Sequence, residues 1–147
     1  MVFDISQVDK SIENIIKEAV GTSKKSVSNY YGYNVCAILI DEEGNKFKGI
    51  NFEPSNGKSI CAETGALASY LMSDRKKIKA LFVYGTPVGK DKKEDVFCFP
   101  CGSCRQMLSD FLDSETIVYG INETATKINT VLLEELLPYS FGAKNLE

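Results

Sequence analysis

Three cysteines in two short segments, Cys61-Ala62-Glu63 and Pro100-Cys101-Gly102-Ser103-Cys104, constrain this chain more than any other feature, because the sequence contains no histidine. Each segment opens a run of helical periodicity, residues 61–73 and 102–112, so both sets of thiols stand at helix starts. Three thiolates can hold a zinc ion and leave its fourth tetrahedral position open to water. Without histidine, Ser-His-Asp triads, Cys-His nucleophiles and histidine-ligated metals are excluded within one chain. Any metal must rest on thiolates and carboxylates.

Cys101-x-x-Cys104 alone reads equally as a dithiol redox pair or as part of a closed structural zinc site. A dithiol has no need of Cys61 with its own glutamate two residues later. A closed site wants a fourth ligand, and only Cys36 and Cys98 remain of the five cysteines. Cys36 lies in an apolar strand and reads as a small hydrophobe, whereas Cys98 stays open as a ligand. Five is an odd count, so a disulfide framework is not expected. Glu63 beside a metal-activated water could take a proton and return it to a substrate nitrogen, the equipment of a hydrolase acting on an amidine-like carbon.

The 147 residues predict one domain, 1–147, with an ordinary apolar share of 44%. A net charge of −3 gives no reason to expect nucleic acid. No apolar run approaches the roughly 18 residues of a membrane span, and the N-terminus is not a signal peptide, so a cytoplasmic protein is expected. Residues 4–20 read as an amphipathic helix stopped by Gly21. A β-hairpin follows over 34–40 and 46–52, its acidic turn read as solvated. Next come the helix at 61–73, a strand at 78–84, a long loop from 85 to 95 and the helix at 102–112. Strands are expected at 116–121 and near 126–129, then a helix over 131–137 capped by Thr130 and ended by Pro138. This order predicts an α/β layered domain with a mixed sheet.

Cys-Ala-Glu followed by Pro-Cys-Gly-x-Cys-Arg-Gln resembles the cytidine deaminase family in its small, homotetrameric form. The similarity covers nearly the whole chain. The aromatic entry Tyr30-Tyr31-Gly32-Tyr33, the Asn51-x-Glu53 pair, both cysteine segments and Leu136-Leu137-Pro138 stand in the family's order. The resemblance implies a three-layer α/β/α fold around a mixed five-stranded sheet, and a homotetramer with sites at subunit interfaces. It implies one Zn²⁺ per chain on Cys61, Cys101 and Cys104, with Glu63 as the catalytic proton shuttle. The substrate would be a small cytosine nucleoside, cytidine or deoxycytidine, deaminated to the uracil nucleoside in pyrimidine salvage. Asn51 and Glu53 would bond the ribose hydroxyls, Tyr33 would pack by the base, Ala62 would contact the substrate, and Phe141 would reach a neighbouring subunit's site. Tyr33 and Phe141 also read as plain core aromatics, and Asn51 and Glu53 as strand-end polar residues.

The sequence departs from the family at Thr64, where an arginine commonly follows the glutamate. The blasticidin S deaminases share that lack, which makes them the alternative enzyme; Glu53 favours a ribose substrate. Arg105, next to Cys104, is the expected compensator for three thiolate charges.

Overall fold

A computed structural model describes residues 1–147. Its elements are β1 (Val2–Asp4), α1 (Lys10–Ser23), β2 (Tyr33–Asp41), β3 (Lys46–Ile50), α2 (Ala62–Leu71), β4 (Ile78–Pro87), α3 (Gly102–Phe111), β5 (Ile117–Ile121) and β6 (Lys127–Leu132). Short 3₁₀ turns occupy Ile5–Gln7, Leu133–Leu136 and Ala143–Asn145. The strands form one mixed sheet in the order β1-β6-β5-β4-β2-β3. Only β4 and β5 run parallel, joined by a crossover through α3.

Alternation along the strands produces the three layers. Ala37 and Leu39 of β2, with Leu81 and Val83 of β4, face α2 and α3 and join Ala66, Leu67, Cys104 and Leu108 in one core. The intervening Cys36, Ile38, Phe82 and Tyr84 point through the other face onto Ile16 and Ala19 of α1. Burying each large apolar side chain contributes about 1.5–3 kcal/mol, which holds a helix layer on either face. No helix is long and apolar enough to cross a membrane.

The sheet has six strands where five were expected. The additional one is β1, which pairs antiparallel with β6, Val2 opposite Asn129 and Asp4 opposite Lys127. The helix expected from residue 4 therefore begins only at Lys10. Asp4 ends the strand locally: its carboxylate accepts the Ser6 N–H at 2.9 Å, and its own N–H donates to Gln7 Oε1 at 3.0 Å. Gly21 does not stop α1, which runs on to Ser23. At the other end, no α-helix forms over 131–137: its first two residues end β6 and the next four make a 3₁₀ turn. Val131 pairs with Val118 and Leu132 with Ile117, leaving one 3₁₀ turn before Pro138. Thr130 caps nothing and sits within β6. The acidic hairpin turn is only partly solvated, because Asp41 is 4% exposed.

Candidate active site

α2 and α3 begin side by side on one face of the sheet. Cys61 is the N-cap of α2 (φ −75°, ψ 153°) and Cys101 the N-cap of α3 (φ −67°, ψ 167°), with Cys104 in the first turn. Both helix starts thus present unpaired N–H groups and positive dipole ends towards the thiols. The three Sγ atoms lie within 4.8 Å of one another, and Cys61 and Cys101 are 3.7 Å apart. Tetrahedral Zn–S bonds of about 2.3 Å place sulfurs roughly 3.8 Å apart, so this trio fits one zinc ion.

Cys104 closes the cluster from the core side, while Cys101 is exposed. Cys36 lies across the sheet in the α1 core, and Cys98 is outside the cluster. The cluster therefore offers a metal three thiols rather than four. Burial pushes the Cys61 and Cys104 thiols up. At Cys101 burial is outweighed by the Cys104 amide and the neighbouring thiols, and its thiol falls below the ordinary range. Three thiolates so close together need a cation, and metal binding would release their protons.

Glu63 occupies the first turn of α2, 5% exposed, with Oε2 at 3.8 Å from Cys104 Sγ. Burial raises its carboxyl above the usual range. That is the setting for a carboxyl that alternates between base and acid.

A cleft of about 250 Å³ opens over these residues. Tyr33, Asn51, Glu53, Cys61, Ala62, Glu63 and Cys101, all singled out from sequence, line it; Cys104 lies buried beneath. Phe141 does not line its own chain's cleft. It is 58% exposed, and its carbonyl accepts the Gln106 Nε2–H at 2.8 Å. Asn51 clamps β2: Oδ1 accepts the Val35 N–H at 2.7 Å, and Nδ2 donates to the Tyr33 carbonyl at 2.8 Å. Glu53 Oε2 accepts the N–H groups of Tyr30 and Tyr31 at 2.7 and 3.1 Å. Each keeps one group free for a ligand: the second Nδ2 hydrogen of Asn51, and Oε1 of Glu53.

Arg105 does not bond a thiol. Its Nε donates to the Pro100 carbonyl at 2.7 Å and its Nη1 to the Leu136 carbonyl at 3.2 Å, bracing the segment before Cys101 against the C-terminal turn.

Sequence reasoning missed Tyr31, Val35, Ser59, Ile60 and Phe99 in the cleft wall, and it kept Cys98 open only as a ligand, not as part of that wall. Two of them had a signal. Cys98 packs on Gly85 and Phe99 on Gly120, and a glycine within a strand marks the close approach of another group.

Residues 9–121 match the family described as the cytidine and deoxycytidylate deaminase zinc-binding region. The chain is similar to the cytidine deaminase of Halalkalibacterium halodurans, 31% identical over 133 residues that cover 90% of this chain and 95% of the relative. At 22% identity over 141 residues, 95% of this chain and 96% of the relative, it is also similar to the blasticidin-S deaminase of Bacillus cereus. The crystal structure of cytidine deaminase from Burkholderia pseudomallei superposes with a TM-score of 0.76 at 25% identity, covering 91% of this chain and 100% of that one. A match over most of its length, on a cluster of thiols suited to zinc, shows that this chain belongs to the cytidine and deoxycytidylate deaminase family.

Proposed function

We propose that this protein hydrolyses cytidine or deoxycytidine to the uracil nucleoside and ammonia, with one Zn²⁺ per chain on Cys61, Cys101 and Cys104. The observation that carries the reading is the buried Glu63 carboxyl, 3.8 Å from Cys104 Sγ, at a three-thiol cluster under a cleft. Zinc at such a site supplies a Lewis acid that lowers the pKa of bound water to about 7.

The chain's own residues do the rest. Glu63 would move both protons of the attacking water, the first to ring N3 of cytosine as the water oxygen bonds to C4, the second to the exocyclic amine as the C4–N bond breaks, and its raised carboxyl suits both transfers. Two helix N-termini, about half a positive charge each, offset the net negative charge of three thiolates on a divalent ion. Tyr33 and Ala62 wall the base, and the free groups of Asn51 and Glu53 take the ribose hydroxyls. The only charged side chains lining the cleft, apart from its thiols, are the carboxylates Glu53 and Glu63. A 5′-phosphate would meet like charge there, which favours a nucleoside over a nucleotide.

Phe141, an exposed aromatic with no place in its own cleft, is assigned to a neighbouring subunit's site in a homotetramer. One continuous sheet covered on both faces supports a single domain over 1–147. With a small nucleoside as substrate, a net charge of −3 and no membrane-spanning helix, the protein is assigned to cytoplasmic pyrimidine salvage, without nucleic-acid or membrane partners.

The test is ultraviolet-monitored deamination of cytidine by the zinc-loaded protein, beside Glu63→Ala. Turnover is expected to fall by at least about 10²–10⁴ in the variant while zinc is retained. Absence of turnover at one zinc per chain would move the assignment to the second reading, deamination of blasticidin S. Thr64 and the similarity to the Bacillus cereus protein favour that alternative.

A further inference from the structure

Glu123 is a buried carboxylate that the deamination chemistry leaves unused. It follows β5, is 6% exposed, and takes part in none of the chain's ion pairs. A buried carboxylate is costly unless it is bonded, and this one is bonded on both oxygens. Oε2 accepts the Lys93 backbone N–H at 2.7 Å, and Oε1 accepts the Tyr33 hydroxyl at 3.4 Å. The main chain extends the junction: Glu123 N–H donates to the Val96 carbonyl at 3.1 Å, and its carbonyl accepts the Tyr84 hydroxyl at 3.0 Å.

One residue therefore joins β4, the segment leading into Cys98 and Phe99, and the Tyr33 wall of the cleft. The Tyr33 ring cannot retreat from the cleft. A Cβ on Gly85 would lie 2.5 Å from Tyr33 Cε1 and 2.6 Å from Cys98 Sγ, so ring and thiol already fill the space above that glycine. The Tyr33 hydroxyl donates to Glu123 Oε1, which accepts. Glu123 thus commits the Tyr33 hydroxyl proton to itself and fixes the far end of the ring, while Gly85 fixes its face.

We infer that Glu123 is a positioning residue for nucleoside recognition, acting through Tyr33, whose ring it holds as the back wall of the cleft. The inference rests on the nucleoside deaminase reading for the identity of the ligand. Glu123→Gln keeps an acceptor for the Lys93 amide but presents an amide nitrogen to Tyr33, so it changes the Tyr33 contact selectively.

The experiment compares the zinc-loaded wild type with Glu123→Gln, Tyr33→Phe and the double variant. KM for cytidine is expected to rise about tenfold in each single variant, the loss falling on KM rather than kcat. The double variant should be no worse than either single, because both act on the same contact. A KM unmoved by Glu123→Gln, or additive losses in the double variant, would overturn the inference. A second readout needs no substrate: the ¹³C ring resonances of labelled tyrosine, with Tyr33 assigned from Tyr33→Phe. Glu123→Gln should shift the Tyr33 resonance, and an unchanged resonance overturns the link. A wild type inactive on cytosine nucleosides rejects the nucleoside reading and with it the recognition role, whereas an active wild type with an indifferent Glu123→Gln rejects the inference alone.

Discussion

Gly49 of β3 lies against Ala62, the first residue of α2, with no room for a side chain between them. A Cβ on Gly49 would fall inside the van der Waals surfaces of the Ala62 carbonyl oxygen and the Ala66 amide nitrogen, and 3.0 Å from the Gly65 carbonyl carbon. Strand and helix backbones touch directly, which sets the height of Cys61 and Glu63 above the sheet.

Gly49→Ala should therefore be severe for a one-carbon change. The obstructing atoms are backbone and cannot rotate away, so a loss of about 3 kcal/mol is expected, at the upper end for overpacking. Zinc content should fall with it, since α2 carries Cys61, one of the three proposed ligands. Thermal denaturation and metal analysis of the purified variant check both; a stable, fully metallated Gly49→Ala would show that this contact does not seat the helix.

Gly120→Ala should act on the cleft through Phe99. The added methyl would stand 2.6–2.9 Å from three ring carbons of Phe99, which lines the cavity. A displaced ring should raise KM for cytidine about tenfold and cost about 1–2 kcal/mol of stability. Phe99→Leu in the same chain should recover part of both losses, which steady-state kinetics and denaturation would show.

Thiol reactivity separates ligands from bystanders. In metal-free protein Cys101, exposed and with a lowered pKa, should react first with a thiol reagent, and zinc should protect it. Cys36 and Cys98 should react slowly with or without metal, because burial pushes both thiols up to about 12. Mass spectrometry of labelled peptides reads this directly. Cys36→Ala and Cys98→Ala should each keep one zinc per chain, whereas alanine at Cys61, Cys101 or Cys104 should abolish tight binding.

Acid sensitivity should trace to Asp41. Burial works to raise its carboxyl, but the Asn45 side chain and the amides of Asn45, Glu43 and Gly44 outweigh it and hold the carboxyl below its ordinary 3.8. The Asn45 and Glu43 contacts span 2.8–2.9 Å. A folded pKa below the unfolded one gives stability that is fully present above the unfolded value and lost as pH falls through the folded value. Asp41→Asn should be less stable at pH 7, with the difference shrinking below about pH 4. Urea denaturation across pH 3–7 tests this.

Sequence by itself picked out the three cysteines that the fold gathers into one cluster, the glutamate beside them and the layered α/β order. Cysteines at helix starts, one helical turn apart in Cys101 and Cys104, form a local pattern, and local patterns survive in one dimension. Periodicity likewise marked α2, α3 and the strand that becomes β4. The tertiary structure alone decided what depends on partners distant in the chain. Val2–Asp4 becomes a strand because one edge of β6 is there to pair with it, and pairing of the opposite edge with β5 makes Val131 and Leu132 strand rather than helix. Cys36 is removed from the metal by the two-sided alternation of β2, and Arg105 is drawn to carbonyls that no spacing rule connects to it. Glu123 meets Tyr33 across ninety residues of sequence, through a contact that exists only once β2, β4 and β5 lie side by side.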